Sequence, residues 1–347
     1  MVVSRWLRRQ FVRRRQCYQH PTSGFTLLEL LIAMIISSVI LSGLLFLVTE
    51  MLKIERRETA IDNVQRDMKR ALEYVASEVS EAVYVYYPLE DSNPNDDNPP
   101  VPADGWANDD VNDVIQSLNG VNGIDLNNVV LAFWRPEFLE DADIPTTCGA
   151  QDEDCINLQN RRAFYTLVVY EVRPNAANDV WEGQSRLIRH ELPKYTDPAT
   201  LALTPGWPDA NDDAFDGPIN NTPGATVNFS TWQPNGTPQL RSAVLVDFVA
   251  NPTDPDLDNA DCRGSNNNLE RIPPDQETSR SFFSCIRTSS TSGGENQNLE
   301  IFLRGDFEPR AGVSAALGTN ALSDNSLLPT LRTGVFIQGV IGYQPPD

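Results

Sequence analysis

One carboxylate inside a long apolar run near the N-terminus is the first residue whose position suggests chemistry. The run covers residues 25–48, and Glu29 is the single charged side chain among its 24 residues. An ionised carboxylate in hydrocarbon is costly unless it meets a cation at the same membrane depth. An α-amino group would be such a cation if the chain were cut between Gly24 and Phe25. The pattern therefore predicts a functional Glu29 that pairs with a cation.

The same run is long enough to cross a membrane. At about 1.5 Å per residue, a helix of this length spans ~36 Å. Residues 1–24 carry six arginines and no acid, so this end is expected to stay in the cytoplasm and the chain after residue 48 to be exported. A cleaved signal peptide has a shorter apolar region and a small-residue cleavage site, and neither is present here. A plain signal anchor fits the length but leaves Glu29 unexplained.

The residues at the start of the run, SGFTLLE at 23–29, resemble the prepilin cleavage motif of type IV pilins and type II secretion pseudopilins. The resemblance implies that a membrane-embedded aspartyl peptidase, the prepilin peptidase, cuts after Gly24 and N-methylates the new N-terminal Phe25. It also implies that Glu29 pairs with the N-terminal amine of a neighbouring subunit during assembly. A signal anchor with an accidental Gly-Phe pair is the alternative.

An apolar stripe continues beyond the membrane segment. Residues 49–83 contain no Pro and no Gly, and apolar side chains recur there every three or four positions. The stripe predicts an amphipathic helix that packs on its own globular domain, with a coiled coil to another chain as the alternative. Charged residues, Glu78 among them, are expected to lie mostly off the stripe. Its members are Ile61, Val64, Met68, Leu72, Val75, Val79 and Val83.

Four stretches of the chain are expected to behave differently. We interpret residues 1–24 as a basic leader that is cleaved and residues 25–48 as a transmembrane or filament-core helix. Residues 49–87 continue that helix in amphipathic form. Residues 88–347 form an exported globular head that opens on a loop rich in Pro, Asn and Asp.

The head is expected to be rich in β-strands. Several of its segments alternate apolar and polar residues at period two, which suits an antiparallel sheet with one face on a helix. The predicted fold is therefore α+β and pilin-like, with a long N-terminal α-helix packed on an antiparallel β-sheet head with long loops. Segments 163–172 and 185–191 are spaced as a hairpin with a long loop. The predicted strands are 128–134, 163–172, 185–191, 242–249, 281–287, 299–304 and 333–341.

The order of segments in the head is similar to that in minor pilins of the PilW type. It runs from QRDMKRALEYVASEVSEAVYV through strands containing Phe-Tyr, Ser-Arg-Leu-Ile-Arg, Val-Leu-Val-Asp and Ile-Phe-Leu-Arg. The acidic, Asn-rich loops and the sequence LAFWRPE resemble the pseudopilins linked to hormogonium polysaccharide secretion in filamentous cyanobacteria. These resemblances imply a subunit of a filament used in motility or secretion.

The cysteine content fits export. Five cysteines are present, and a cut before Phe25 would remove Cys17 with the leader. The even number that remains suggests disulfides in an exported domain. Three pairings are possible, and proximity favours two short loops, each contributing ~2–4 kcal/mol. A zinc site is disfavoured because the spacing is wrong and no His is near. The favoured pairs are Cys148–Cys155 and Cys262–Cys285.

No pattern in the head is typical of catalysis. After removal of the leader the chain has one histidine, His190, in a strand-like segment where a packed or surface role is usual. No Gly-x-Ser-x-Gly, His-Glu-x-x-His or phosphate-binding loop is present. We therefore expect no catalytic residues, no enzymatic activity and no cofactor.

Two acidic stretches are weak candidates for calcium. Each places oxygen ligands on alternate residues, as calcium loops do, but neither has the Gly at position six and the Glu at position twelve of an EF-hand. Solvated acidic turns are the ordinary interpretation, so no metal is predicted and calcium is kept as an alternative. The candidates are Asp91, Asn93 and Asn95 in one stretch and Asp254, Asp256 and Asp258 in the other.

Overall composition excludes several classes of protein. The chain has 27 basic and 48 acidic residues and a net charge of −21, which would repel a nucleic acid. A hydrophobic content of 40% is too high for a wholly disordered chain and too low for a polytopic membrane protein. No nucleic-acid partner is therefore expected.

The motif and the resemblances together predict a minor pilin or pseudopilin that acts by assembly. The expected location is the inner membrane, with a single pass, a cytoplasmic N-terminus and an exported head, and later a periplasmic or cell-surface filament. The expected partners are the prepilin peptidase, other major and minor pilins or pseudopilins, the inner-membrane assembly platform and, before assembly, the lipid bilayer.

Three alternatives to this function are open. The first is a pilus-tip adhesin whose head binds a glycan or a surface. The second is a signal-anchored surface protein, and the third is a membrane-anchored enzyme. The adhesin would use a platform of exposed aromatic residues, for which the candidates are Trp106, Trp181, Trp207 and Trp232.

Overall fold

Two compact units, Met1–Glu55 and Arg56–Asp347, make up the chain. A 54-residue helix, α1 (Leu27–Ser80), contributes to both. The predicted leader before Gly24 lies outside the described residues. The computed structural model describes residues 24–86, 118, 121–149, 152–207, 234, 236–254, 257, 262, 269–273, 277, 279–287, 298–311 and 330–337.

The first unit contains the apolar start of α1. Its aliphatic and aromatic side chains follow one another without a proline, so nothing in the sequence interrupts the helix. All of its large apolar side chains between Phe25 and Ile54 are exposed, by 46% to 89%. By length and composition, α1 is able to cross a membrane. An apolar surface of this extent requires lipid or protein to cover it.

In the second unit the remaining part of α1 lies against the head. Val64, Met68, Val75 and Val79 of the predicted stripe are fully buried, and Leu72 is nearly so. These side chains belong to one hydrophobic cluster with residues of the β-sheets. The prediction of an amphipathic helix that packs on its own domain is therefore confirmed.

The end of α1 differs from the prediction. Helical structure was expected up to residue 87, but α1 ends at Ser80, and Tyr84 and Val85 form a short strand. The backbone N–H of Val83 donates to Trp134 O at 2.8 Å, and that of Tyr86 donates to Ala132 O at 2.9 Å. These aromatic and β-branched residues favour an extended backbone, and a neighbouring strand supplies their partners.

Strands and short helices follow in the second unit. The α-helices that the structure describes after α1 are α2 (Glu153–Arg161) and α3 (Glu308–Ala311). The described strands are β1 (Tyr84–Val85), β2 (Val129–Phe138), β3 (Ala163–Pro174), β4 (Ser185–Pro193), β5 (Tyr195–Asp197), β6 (Ala202–Leu203), β7 (Arg241–Val249), β8 (Leu269–Ile272), β9 (Phe282–Arg287), β10 (Asn298–Leu303) and β11 (Leu331–Phe336).

The strands form two main antiparallel sheets. The first has the order β1-β2-β3-β4-β7, and the second has the order β11-β10-β9-β8. A two-stranded ribbon joins β5 and β6. The strands β3 and β4 form the predicted hairpin, with Val169 opposite His190. The sequence predicted one sheet, and the structure divides its strands between two.

Each predicted strand has a counterpart among the described strands, and positions 338–341 of the last predicted strand lie outside the described residues. Three of them extend further than expected: β2 reaches Phe138, β3 reaches Pro174 and β4 reaches Pro193. The strands β5, β6 and β8 were not predicted, since they are short and pair only through tertiary contacts. The architecture is a mixed α+β fold with a long N-terminal helix packed on antiparallel sheet, as the sequence predicted.

Aromatic side chains occupy the centre of the core. Trp134 and Tyr86 are fully buried, and Trp134 Nε1 donates to Tyr86 Oη at 2.8 Å. The indole of Trp207 packs edge-on against Trp134, with 5.8 Å between the ring centroids. Such pairs satisfy the polar atoms of buried aromatic residues while adding apolar contact.

Candidate functional site

The predicted processing site lies directly before the first turn of α1. Gly24, Phe25 and Thr26 are the first described residues, and the helix begins at Leu27. The backbone N–H of Glu29 donates to Thr26 Oγ1 at 3.3 Å. A threonine at the N-cap satisfies one backbone donor that the helix cannot satisfy itself. The local sequence Thr-Leu-Leu-Glu therefore positions both Phe25 and Glu29 at the start of the helix.

The surroundings of this site are open. Phe25 is 83% exposed, and a Cβ added to Gly24 would meet no atom within 4 Å. Among the described residues no ion pair involves Glu29. The carboxylate in the first turn is favoured by the positive end of the helix dipole. In hydrocarbon, where water is absent, a cation from outside this helix would be a much stronger partner.

Two disulfides cross-link segments of the head. Cys148 is bonded to Cys155 in the first turn of α2, and Cys262 is bonded to Cys285 on β9. The Cα atoms of each pair are 5.5 Å apart, as is usual for a disulfide. Together these two bonds form the pairing scheme that proximity favoured among the three schemes that the sequence left open. Cys262 and Cys285 are both buried, and they pack with Phe283 in a small cluster of their own.

His190 is buried, and both nitrogens of its ring lie within hydrogen-bond distance of a side chain. It lies buried on β4, where its Nε2 is 3.0 Å from Glu171 Oε2 and its Nδ1 is 2.8 Å from Ser242 Oγ. Arg173 also donates to Glu171, through Nε at 2.9 Å and Nη2 at 2.8 Å. Burial raises the pKa of Glu171, but the hydrogen bonds from His190 and Arg173 outweigh it and hold the pKa below its usual value.

The proposed aromatic platform is not formed by the tryptophans that the structure describes. Trp207 belongs to the hydrophobic core, where it is only 6% exposed. Trp181 is half-buried, and the Arg186 guanidinium lies 5.9 Å from the centroid of its ring. Trp106 and Trp232 lie outside the described residues. The described part of the head thus offers one partly open indole and no row of exposed rings.

The calcium candidates fall mostly outside the described residues. Asp91, Asn93, Asn95, Asp256 and Asp258 are all outside, and only Asp254 is placed. Within the described ranges, no group of three or more His, Cys, Asp or Glu side chains is arranged to hold a metal ion.

A buried ionic cluster is the feature that the sequence analysis missed. Glu78 was expected on the solvent side of α1, but it is buried and accepts hydrogen bonds from Arg189 Nε at 2.9 Å and Nη2 at 2.7 Å. Tyr170 Oη donates to the same carboxylate. Arg135 Nε lies 3.4 Å from Glu78 Oε1, and Arg189 Nη1 donates to Glu191 at 2.5 Å. The cluster joins α1 to β2, β3 and β4.

Burial and the neighbouring charges shift the pKa of Glu78 in opposite directions. Burial raises the pKa of Glu78, but the hydrogen bonds from Arg189 and Tyr170 and the nearby positive charges outweigh it, so the pKa lies below its usual value. Burial and the adjacent Glu78 carboxylate raise the pKa of Tyr170. A weak signal was present in the sequence, since Glu78 stands next to Val79 of the stripe and Arg189 lies on a strand.

Comparison with known proteins bears on the N-terminal segment alone. Residues 20–45 match the family profile of the prokaryotic N-terminal methylation motif. No curated protein matches the chain at a significant level, and no solved structure does so either. The match covers Gly24, Phe25 and Glu29 and the first turns of α1. Together with the membrane-capable helix, it supports a type IV pilin-like protein that is anchored in the membrane and exported.

Proposed function

We propose that the chain is a minor pilin or pseudopilin, a non-enzymatic subunit of a type IV pilus-like or type II secretion-like filament. One observation carries this proposal: a methylation motif spans the start of a helix that exposes its apolar side chains and carries one carboxylate in its first turn. Such a helix is suited to lipid at one stage and to a bundle of like helices at another.

The proposed sequence of events starts at the leader. Prepilin peptidase cuts between Gly24 and Phe25 and methylates the new amine. Residues 25–48 hold the subunit in the inner membrane, with the head exported, until the assembly platform passes it into the filament. The amine at Phe25 then meets the Glu29 carboxylate of a neighbouring subunit. Two charges that are each poorly solvated in hydrocarbon neutralise one another, and this sets the axial register.

The proposed place among filament subunits is a minor one. The second unit carries two sheets, a ribbon and two disulfides, so its head is large for a tightly wound array. A bulky head favours low abundance or a position at the tip. The order of its segments, which is similar to that of minor pilins of the PilW type, also supports a minor place in the filament. Polysaccharide secretion, as in the hormogonium pseudopilins, is the more specific role that we propose to test.

The first experiment measures processing in native membranes. Intact mass and N-terminal sequencing are carried out on the wild type, on Gly24→Val and on Gly43→Ala. Neither glycine has an atom within 4 Å of the Cβ that the substitution adds, so both variants should fold. We expect a methylated Phe25 N-terminus in the wild type and in Gly43→Ala, and an uncut chain in Gly24→Val. If the wild type were exported but not cut, the result would favour the alternative of a signal-anchored surface protein.

A second experiment separates assembly from processing. Glu29→Gln keeps the size of the side chain and removes its charge, and Glu55→Gln makes the same change further along α1 at an exposed site. We expect Glu29→Gln to be cut and methylated but lost from sheared filaments, while Glu55→Gln is incorporated normally. Normal incorporation of both variants would contradict the assembly role of Glu29.

A further inference from the structure

A groove of about 490 Å³ lies between α1 and the edge of the first sheet, within the second unit. One wall is the flank of α1, formed by side chains at positions 67, 70, 71 and 74. The other wall is β7, with Trp181 and Arg310 at the rim. Helical positions three and four apart lie on one face, so this wall is a continuous strip beside the buried stripe.

The groove follows the edge of β7 that pairs with no described strand. Five successive residues of this strand, 244 to 248, line it. Side chains of successive residues point to opposite faces of a sheet, so a groove lined by all of them runs along the backbone edge. Within the described residues, positions 241–247 form backbone ladder bonds with β4 alone. An edge strand of this kind presents unpaired backbone donors and acceptors.

One end of the groove is closed. The N–H of Asp306 donates to Phe248 O at 2.8 Å, and the Arg310 guanidinium lies 5.1 Å from the centroid of the Phe248 ring. Phe248 has a φ of 63°, in the left-handed region that a phenylalanine rarely adopts. A left-handed residue at the end of a strand turns the backbone away, so an added strand would stop there. Towards Arg241 the strand is exposed, and the groove is open.

The charged side chains that line the groove differ in whether another residue already binds them. Asp247 is fully used, because its carboxylate accepts from the N–H groups of Glu182 and Gly183 and from the Asn175 amide, at 2.9 to 3.0 Å. Asp67 is held by Arg310 at 2.8 Å. Arg70 is exposed and forms no ion pair with any described residue. The cation left to a ligand is therefore Arg70.

From this geometry we propose that the groove binds an extended peptide segment of a partner protein, which adds as a strand to β7 and places an acidic side chain beside Arg70. Addition of a strand beside a helix is a known mode of peptide recognition, in which backbone bonds supply affinity and side-chain pockets supply specificity. Tyr74, which is 45% exposed, and Leu245 provide apolar contacts for side chains of the peptide. A carbohydrate is the less suitable occupant, because the Arg186 guanidinium already lies over the Trp181 ring, on which a sugar would stack.

This inference does not rest on the proposed function, since the groove belongs to the head whether or not the leader is cut. The test uses the full chain in lipid nanodiscs. Random peptides displayed on phage are selected on the wild type and counter-selected on nanodiscs that hold no protein. A selected peptide is then synthesised and used as the probe. Its affinity is measured for the wild type, for Arg70→Glu and for the control Arg66→Glu, an exposed arginine one turn away that does not line the groove.

We expect the selected peptides to share an acidic residue. Binding should weaken about tenfold or more in Arg70→Glu and change less than about twofold in Arg66→Glu, because a charge-assisted hydrogen bond is lost only in the first. Hydrogen exchange of amides 241–247 should slow when the peptide is bound.

Four results would overturn the proposal: no enriched peptide, equal binding to Arg70→Glu, protection of amides elsewhere than β7, or Arg70-dependent binding of acidic oligosaccharides in place of peptides.

Discussion

Glu78 on α1 and Arg189 on β4 form a doubly bonded ion pair inside the head. Arg189 Nε and Nη2 donate to the two carboxylate oxygens at 2.9 and 2.7 Å, although the residues are 111 positions apart in the sequence. Both residues are buried. A buried pair of this kind is tolerated only if its remaining polar atoms are also satisfied, and Tyr170 and Glu191 provide those bonds. The pair thereby fixes the position of the helix on the sheet.

Removal of the Glu78 charge should destabilise the head. In Glu78→Gln the Arg189 guanidinium stays buried with only Glu191 as a counter-charge, so we expect the free energy of unfolding to fall by about 3 kcal/mol. Urea denaturation followed by tryptophan fluorescence measures this change. Glu73→Gln is the control, because Glu73 lies on the same helix in an exposed pair with Lys69 and should lose less than about 0.5 kcal/mol. Equal losses in the two variants would show that the buried pair has no special role.

Acid should weaken the same contact. The pKa of Glu78 in the folded head lies below its ordinary value of about 4.5. The contribution of ionised Glu78 to stability is therefore present above that pH and is lost as the pH falls through the folded pKa. We expect the melting temperature of the wild type to decrease below about pH 4.5. Glu78→Gln should show a smaller decrease over the same interval, as measured by circular dichroism. If the melting temperatures of the two proteins fell in parallel as the pH decreased, ionised Glu78 would not be the source of the pH dependence.

The buried carboxyl of Asp306 should affect stability in the opposite way to Glu78: it should destabilise the head when it is ionised. Burial raises its pKa to about 6, and the nearby charges of Glu308 and Asp254 add to this, although the Glu308 N–H donates to it at 2.9 Å. Its other oxygen, Oδ2, has no hydrogen-bond partner in the described part of the chain. The folded pKa is above the unfolded one, so ionisation destabilises the head at neutral pH, and this loss is relieved as the pH falls below about 6.

Asp306→Asn tests this expectation. At pH 7.5 the variant should be more stable than the wild type by up to about 3 kcal/mol, and the difference should shrink towards pH 4 because both proteins are then neutral at this position. Asp62→Asn, an exposed change on α1, should alter stability by less than about 0.5 kcal/mol at either pH. Thermal unfolding at the two pH values measures both. A wild type that is the more stable protein at pH 7.5 would refute the prediction.

The two disulfides should differ in their effect on stability. Cys262–Cys285 spans 23 positions and Cys148–Cys155 spans 7, and the entropy removed from the unfolded chain grows with the length of the closed loop. We expect Cys262→Ser with Cys285→Ser to cost about 3 kcal/mol, and Cys148→Ser with Cys155→Ser to cost about 2 kcal/mol. Urea denaturation under oxidising conditions compares the two double variants. A larger loss for the shorter loop would mean that packing near α2 outweighs chain entropy.

Local patterns were sufficient for the N-terminal part of the protein. The apolar run, Gly24, Phe25 and Glu29 are contiguous, and α1 with its capped first turn follows directly from them. Val64, Met68, Val75 and Val79 were recognised as a buried stripe because the period of a helix is short. The strands β3 and β4 were recognised for a similar reason, since the alternation of side chains and the loop that joins the two strands are local properties of the chain.

Contacts between distant residues could not be predicted in this way. The sequence placed Glu78 on the solvent side of α1, because nothing near it in the chain indicates that Arg189 and Tyr170 will meet it. The division of the strands into two sheets, the short strand at Tyr84 and the groove beside β7 were also decided by tertiary packing.

The sequence by itself determined the features whose partners are lipid, a peptidase or residues within a few positions along the chain. These are the processing motif, the membrane-capable helix and the individual strands. The tertiary structure decided which strands share a sheet, which charges are buried together and where an open edge meets a helix. The physical reason is that each of these depends on contacts between groups far apart in the chain, whose free energy is realised only when the whole head has packed.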